Sequence, residues 1–155
     1  MIKYVNYDIV FQEFPDEVTL AINCSLCPNS CPGCHSAYLA GDVGDELTEG
    51  RLMALVEEYR DDITCVALMG GDNDPAEVQR LLEYAKKNAS FELKAGWYSG
   101  RDHFPEGFRP EVFDYVKIGP YRSECGPLKS PSTNQRLYRF KGREKEDITG
   151  RFWKK

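Results

Sequence analysis

The sequence lacks any apolar segment near the length of about 20 residues that a membrane-spanning helix requires, and it contains no repeat and no low-complexity tract. These absences exclude a membrane-embedded protein and a solenoid. The N-terminal segment MIKYVNYDIVFQEFPDEV has a single lysine and several polar residues, so it also lacks the apolar core of a secretory signal peptide. We therefore expect a cytoplasmic protein, in a reducing compartment where structural disulfides are rare.

Excess positive charge is absent as well. The 155 residues carry a formal net charge of −5, which argues against nucleic acid as the main partner. A hydrophobic content of 41% is that of an ordinary globular protein, and a chain of this length can bury a core without disulfides. We expect one domain over residues 1–155, with its core at roughly 18–140 and a short C-terminal tail of mixed charge.

Five segments have the apolar, β-branched or aromatic content of strands. The turn signal Pro15-Asp16 separates the first two, which predicts a hairpin or two neighbouring strands. The third is a continuous apolar segment that ends at Gly70-Gly71, as in a strand covered on both faces. In chain order the five segments are YDIVFQEF, EVTLAIN, ITCVALM, FELKAGWY and DYVKIGPY.

Helices are predicted between these strands. The segment LTEGRLMALVEEYR has apolar residues at helical spacing, with Thr48 placed to cap its start. The segment DPAEVQRLLEYAKK begins with Asp74 as the cap, Pro75 at the first helical position and Glu77 three residues after the cap. A weaker element is expected at 110–113.

Strands and helices in alternation predict an α/β fold with parallel pairing. The chain is too short for an eightfold barrel of about 250 residues, which leaves an open sheet or a partial barrel. In both architectures ligands bind at the carboxyl ends of the strands. This edge is where the sequence places a cysteine-rich segment and Gly70-Gly71.

The cysteine-rich segment NCSLCPNSCPGCHS holds four of the six cysteines of the chain, Cys24, Cys27, Cys31 and Cys34. Zinc sites normally separate two Cys-x2-Cys pairs by a dozen or more residues, whereas three residues intervene here, so zinc would be cramped. A disulfide conflicts with the reducing compartment. A thioredoxin-like motif has two cysteines rather than four.

An iron–sulfur cluster fits the spacing better, because thiolates from one short loop can wrap a cubane cluster. Cys27, Cys31 and Cys34 form one Cys-x3-Cys-x2-Cys set, and Pro32 and Gly33 suit a tight turn within it. Three thiolate ligands on a four-iron cluster leave one iron open to a substrate or cofactor.

This triplet directly after a strand, followed one βα unit later by MGGD at a strand end, resembles the radical S-adenosylmethionine superfamily. With the chain length and the segments YVKIGPY and SPSTNQRLYRF, the sequence resembles the activating proteins of anaerobic (class III) ribonucleoside-triphosphate reductases over roughly residues 18–140. The resemblance implies a single compact domain, a partial (βα) barrel of the radical S-adenosylmethionine type with a mostly parallel sheet.

The resemblance also implies a site and an activity. Cys27, Cys31 and Cys34 would ligate a 4Fe-4S cluster, and S-adenosylmethionine would bind its open iron. Contacts with S-adenosylmethionine are implied for a further set of residues, Gly33, His35, Gly70, Gly71 and Asp72. The partner would be the reductase, a protein substrate on which a glycyl radical is generated, together with a low-potential electron donor. No acid–base catalytic side chain is implied.

One position departs from the family pattern, which usually has glutamate followed by proline where this chain has Asp72-Asn73. Of the other cysteines, we expect Cys24 to be a thiol that does not bind metal, Cys65 to lie in the core and Cys125 to be a loop thiol. Two alternatives remain: an activating enzyme for another glycyl-radical enzyme, and a zinc-binding module without enzymatic activity.

Overall fold

The computed structural model describes residues 2–11, 13–25, 44–119 and 133–150. In this part of the chain, eight strands form one sheet and two α-helices pack against it. The strands are β1 (Lys3–Val10), β2 (Thr19–Cys24), β3 (Asp45–Glu46), β4 (Cys65–Met69), β5 (Lys94–Tyr98), β6 (Tyr115–Ile118), β7 (Arg136–Lys141) and β8 (Glu144–Asp147), and the helices are α1 (Glu49–Glu58) and α2 (Pro75–Asn88).

Both helices begin at the residues predicted to cap them. The Thr48 hydroxyl accepts a hydrogen bond from the backbone N–H of Arg51 at 3.1 Å. The Asp74 carboxylate accepts one from the backbone N–H of Glu77 at 3.4 Å. Each cap satisfies a backbone donor that has no partner within its helix. The weaker element is a short 3₁₀ turn, Pro110–Val112.

The sheet is mixed, and the prediction of a mostly parallel sheet is wrong. Its described strand order is β3-β1-β2-β4-β5-β6-β7-β8, with four antiparallel and three parallel pairings. The parallel pairings join β2, β4, β5 and β6, as the βα order predicted. The antiparallel pairings arise at the two flanks, where β1–β2 and β7–β8 are hairpins that return the chain without a crossover.

The C-terminal hairpin corrects the expectation of a charged tail after residue 140. Lys141 pairs with Glu144 across a turn in which Gly142 has a φ of +60°. All four residues of β8 are exposed, so the segment is solvated as expected but is part of the sheet. Thr149 secures the hairpin, because its hydroxyl accepts a hydrogen bond from the backbone N–H of Leu137 at 2.8 Å.

The two helices pack on one face of the sheet. Their buried residues share a cluster with Val66 and Leu68 of β4 and with Ala95 and Trp97 of β5, which alternate with residues of the other face. On the opposite face, called here the helix-free face, a smaller cluster of described residues surrounds Phe14.

Phe14 packs against the centre of the helix-free face. Its ring stacks on Tyr115 at a centroid distance of 4.9 Å and meets the edge of Tyr98 at 5.3 Å. It also lies where a Cβ of Gly96 would project. Met69 and Tyr98, the last residues of β4 and β5, also pack against this cluster, so it extends to the carboxyl ends of these strands.

A buried carboxylate, Glu17, connects the amino ends of the central strands. It accepts hydrogen bonds from the Thr64 hydroxyl at 2.7 Å, the Lys94 ammonium at 2.8 Å and the Tyr115 hydroxyl at 2.8 Å. Thr64 directly precedes β4, and Lys94 and Tyr115 are the first residues of β5 and β6. Burying a carboxylate is unfavourable unless it is paired in this way.

Candidate functional site

The carboxyl ends of β2 and β4 lie side by side in the sheet. Asn23 of β2 is in register with Met69 of β4, so Cys24 and Gly70 follow at adjacent positions. A Cβ placed on Gly70 would lie 3.4 Å from the Cβ of Cys24. The residue that begins the cysteine-rich segment is thus next to the Gly70-Gly71-Asp72 turn.

The two glycines of this turn are required by the backbone. Gly70 and Gly71 have φ values of +107° and +90°, which residues with a side chain rarely adopt. A Cβ on Gly71 would also lie 2.7 Å from the Cγ2 of Val78, on helix α2. From the sequence, both glycines were expected to contact S-adenosylmethionine. In the structure, Gly71 has no room for a side chain because helix α2 packs against it.

Both glycine carbonyls accept hydrogen bonds within the protein. The Gly70 oxygen accepts one from the Trp97 indole N–H at 2.7 Å, and the Gly71 oxygen accepts one from the backbone N–H of Asp74 at 3.0 Å. Trp97 is buried in the core and stacks on Phe113. Its bond to Gly70 was not predicted, because the two residues are far apart in sequence.

The Asp72 side chain points toward the turn after β5. It is only 3% exposed. The Ser99 hydroxyl donates to its Oδ1 at 2.6 Å, and the backbone N–H of Gly100 donates to its Oδ2 at 2.8 Å. Sequence reasoning missed Ser99, because a serine at the end of a strand carries no signal of its own.

Cys24 is a buried thiol, 1% exposed. Burial, reinforced by the nearby charge of Asp72, raises the pKa of Cys24 to about 12. Its Sγ lies 3.7 Å from the carbonyl oxygen of Ile22. Cys24 packs in the helix-side core at the end of β2, and its expected nonligating role stays a prediction. Cys65 is fully buried, which confirms its predicted place in the core.

Several predicted site residues lie outside the described residues. They are Cys27, Cys31, Gly33, Cys34 and His35 in 26–43, and Cys125 in 120–132. Among the residues that the structure describes, no group of three or more His, Cys, Asp or Glu side chains could hold a metal ion. The predicted cluster ligands therefore remain a prediction from the sequence.

The residues Asn134, Gln135 and Arg136, part of the segment SPSTNQRLYRF, lead into β7. Gln135 packs against the end of β6, since a Cβ on Gly119 would lie 2.9 Å from the Gln135 Cα. Arg136 is the first residue of β7 and lies 3.7 Å from the Asp147 carboxylate on β8. Its described role is in the C-terminal hairpin.

A buried lysine lies on the helix-free face near the carboxyl end of β6. Lys117 of β6 is 8% exposed, and its ammonium donates to the Gly119 carbonyl at 3.3 Å. The same ammonium lies 5.1 Å from the ring centroid of Tyr98, in a cation–π contact. This places a buried positive charge near the carboxyl ends of the parallel strands.

Comparison with protein-family models, curated proteins and solved structures found no match to this chain. In the described part of the chain, neither helix combines the length and apolar character needed to cross a membrane. The sequence motifs and the geometry of the strand ends are therefore the features that bear on function.

Proposed function

We propose that the chain is a cytoplasmic activating enzyme that generates a glycyl radical on an anaerobic ribonucleoside-triphosphate reductase. Cys27, Cys31 and Cys34 would hold a 4Fe-4S cluster, and S-adenosylmethionine would bind beside it. The observation that carries the proposal is the adjacency of Cys24 and Gly70. Two motifs that are far apart in sequence thus start from neighbouring strand ends.

The described residues fit such a cofactor. Gly70 is half-buried, and the Trp97 indole engages its carbonyl oxygen, which as a carbonyl can accept a second hydrogen bond. An ammonium group of a ligand could donate that bond. The Lys117 ammonium supplies positive charge on the helix-free face, as a carboxylate of a ligand would require.

When bound, the cluster and S-adenosylmethionine would supply radical chemistry: with one electron from a low-potential donor, a hydrogen atom would be removed from the reductase glycine, and methionine and 5′-deoxyadenosine would be the products. The chain's own residues would bind and orient these groups and exclude water. No described side chain needs to donate or accept a proton.

The fold supports docking of a protein substrate. Strands β2, β4, β5 and β6 with helices on one face would form the partial (βα) barrel of this proposal. A reactive radical must be formed against its target, so the partner's glycine would have to reach the carboxyl edge of these strands. An incomplete barrel leaves room for such an approach.

The test is anaerobic reconstitution with iron and sulfide, followed by incubation with S-adenosylmethionine, a low-potential reductant and an anaerobic reductase. We expect a brown protein, formation of 5′-deoxyadenosine and a doublet glycyl-radical signal by electron paramagnetic resonance. A radical only on another glycyl-radical enzyme would reassign the partner. A colourless protein with stoichiometric zinc, or a full cluster without cleavage, would refute the proposal.

A further inference from the structure

A continuous hydrogen-bond network joins the turns that follow three parallel strands. Ser99, directly after β5, donates through its hydroxyl to Asp72 and accepts through the same oxygen from the backbone N–H of Arg101 at 3.1 Å. Its own N–H donates to the carbonyl of Lys117 at 2.8 Å, and the N–H of Gly119 donates to the carbonyl of Arg101 at 2.5 Å. Asp72 supplies the carboxylate in this network.

The geometry at Asp72 suits aspartate in particular. Its two oxygens receive two donors that are adjacent in sequence, Ser99 and Gly100. An asparagine would turn an amide N–H₂ toward one of these donors, and a glutamate would carry the carboxylate one methylene too far. Because the site is buried, the lost charge-assisted bonds would not be replaced efficiently by water.

We propose that Asp72 is a positioning residue that acts through Ser99 and Gly100, and that it does not contact the cofactor's ammonium group. It holds the segment 99–101 against the Gly70-Gly71 turn, so that the carboxyl edge is formed before a ligand arrives. This inference rests on the proposed function for the identity of the ligand. It departs from the direct contact that the family resemblance implies.

The first experiment needs neither cluster nor cofactor. Amide hydrogen exchange, resolved by residue in the cluster-free protein, is compared between wild type, Asp72→Asn and Asp102→Asn. The control, Asp102→Asn, removes the same charge from an exposed carboxylate in the same turn, which lies 2.9 Å from Nδ1 of His103. We expect Asp72→Asn to accelerate exchange at Gly100 and Arg101 by roughly tenfold or more, and the control to leave it unchanged. Exchange rates at Gly100 and Arg101 that are the same in Asp72→Asn as in wild type would overturn the proposal.

The second experiment compares two ligands on the reconstituted protein by calorimetry. S-adenosylmethionine carries the amino-acid group, and 5′-methylthioadenosine lacks it. If Asp72 is a positioning residue, Asp72→Asn should lower the affinity for both ligands by the same factor, about tenfold or more. The double variant Asp72→Asn with Ser99→Ala should lose little further affinity, because both residues act through the same contact. A loss confined to S-adenosylmethionine would identify a direct ammonium contact and overturn the inference.

The outcomes separate the two proposals. If wild type binds neither ligand, the proposed function fails, and the exchange experiment still decides whether Asp72 holds the segment 99–101. If exchange rises but both affinities keep their wild-type values, the network is structural only and the positioning role is refuted.

Discussion

The indole N–H of Trp97 donates a hydrogen bond to the carbonyl oxygen of Gly70 at 2.7 Å, linking the helix-side core to the turn of the candidate site. The same ring stacks on Phe113 at a centroid distance of 5.8 Å. One buried side chain therefore serves both the packing of β5 and the orientation of a backbone carbonyl at the carboxyl edge.

Replacing Trp97 by phenylalanine keeps an aromatic ring against Phe113 and removes the donor to Gly70. We expect the free energy of unfolding to fall by about 1–3 kcal/mol, because the carbonyl loses its partner and the core loses volume. Urea unfolding of the cluster-free protein measures this change. Phe113→Leu is the packing control, since it leaves the bond to Gly70 in place. Equal stability of Trp97→Phe and wild type would show that this hydrogen bond contributes nothing.

Gly71→Ala should destabilise the fold without any ligand present. The positive φ costs about 1–2 kcal/mol for a residue with a Cβ, and contact with Val78 adds to it. Thermal unfolding should show a lower midpoint, partly restored by Val78→Ala, which relieves the contact but not the backbone strain. The control is Gly50→Ala in helix α1, where an added Cβ would meet no atom within 4 Å. We expect this variant to raise the free energy of unfolding by about 0.5–1 kcal/mol, because alanine favours a helix more than glycine does.

The cysteine-rich segment can be tested by iron content. Alanine at Cys27, Cys31 or Cys34 should abolish stable 4Fe-4S binding after reconstitution, since each would remove a cluster ligand. Cys24→Ala should retain nearly full iron, because this thiol is buried in the core and lies outside the Cys-x3-Cys-x2-Cys set. Iron and sulfide analysis with the visible spectrum reports both. Loss of the cluster in Cys24→Ala with retention in Cys34→Ala would contradict the assignment of ligands.

The stability of the cluster-free protein should fall at alkaline pH through Cys65. Burial raises the pKa of the Cys65 thiol above its ordinary value of 9.0, so above pH 9 the thiol ionises in the unfolded chain while it stays protonated in the folded one. The contribution of the Cys65 thiol to the free energy of unfolding is fully present below pH 9. Above pH 9 it declines by up to about 1.4 kcal/mol per pH unit.

Cys65→Ala removes that titration, so the difference in unfolding free energy between wild type and variant should narrow as pH rises from 8 to 10. Urea unfolding under reducing conditions measures this difference. The tyrosines Tyr98 and Tyr115, whose pKa values burial also raises, titrate in both proteins and cancel in the comparison. A difference that stays constant with pH would contradict the prediction.

Local sequence patterns were sufficient for the central elements of the fold. The capping residues Thr48 and Asp74 and the spacing of the apolar residues predicted both helices, because these signals depend on neighbours in sequence. The β8 strand was missed because it lacks such a local signal. All of its side chains are exposed, so its sequence shows no alternation of apolar and polar residues.

The candidate site was predicted in its motifs but not in its contacts. Asp72 and Ser99 are 27 residues apart, and Glu17 and Tyr115 are 98 apart, so only the folded sheet brings them together. A local pattern gives the chemical type of such residues without identifying their partners. For this reason the sequence assigned Asp72 to a ligand, whereas the structure shows it bonded to the next turn.

The two edges of the sheet have a consequence for behaviour at high concentration. Among the strands that the structure describes, one edge strand, β3, has two residues, and the other, β8, consists of Glu144, Lys145, Glu146 and Asp147, all exposed. A short edge and a charged edge both oppose the addition of a strand from another molecule, since such pairing would juxtapose and desolvate these charges. The fold therefore resists growth of intermolecular β-structure, the usual origin of fibrils and inclusion bodies among proteins rich in strands.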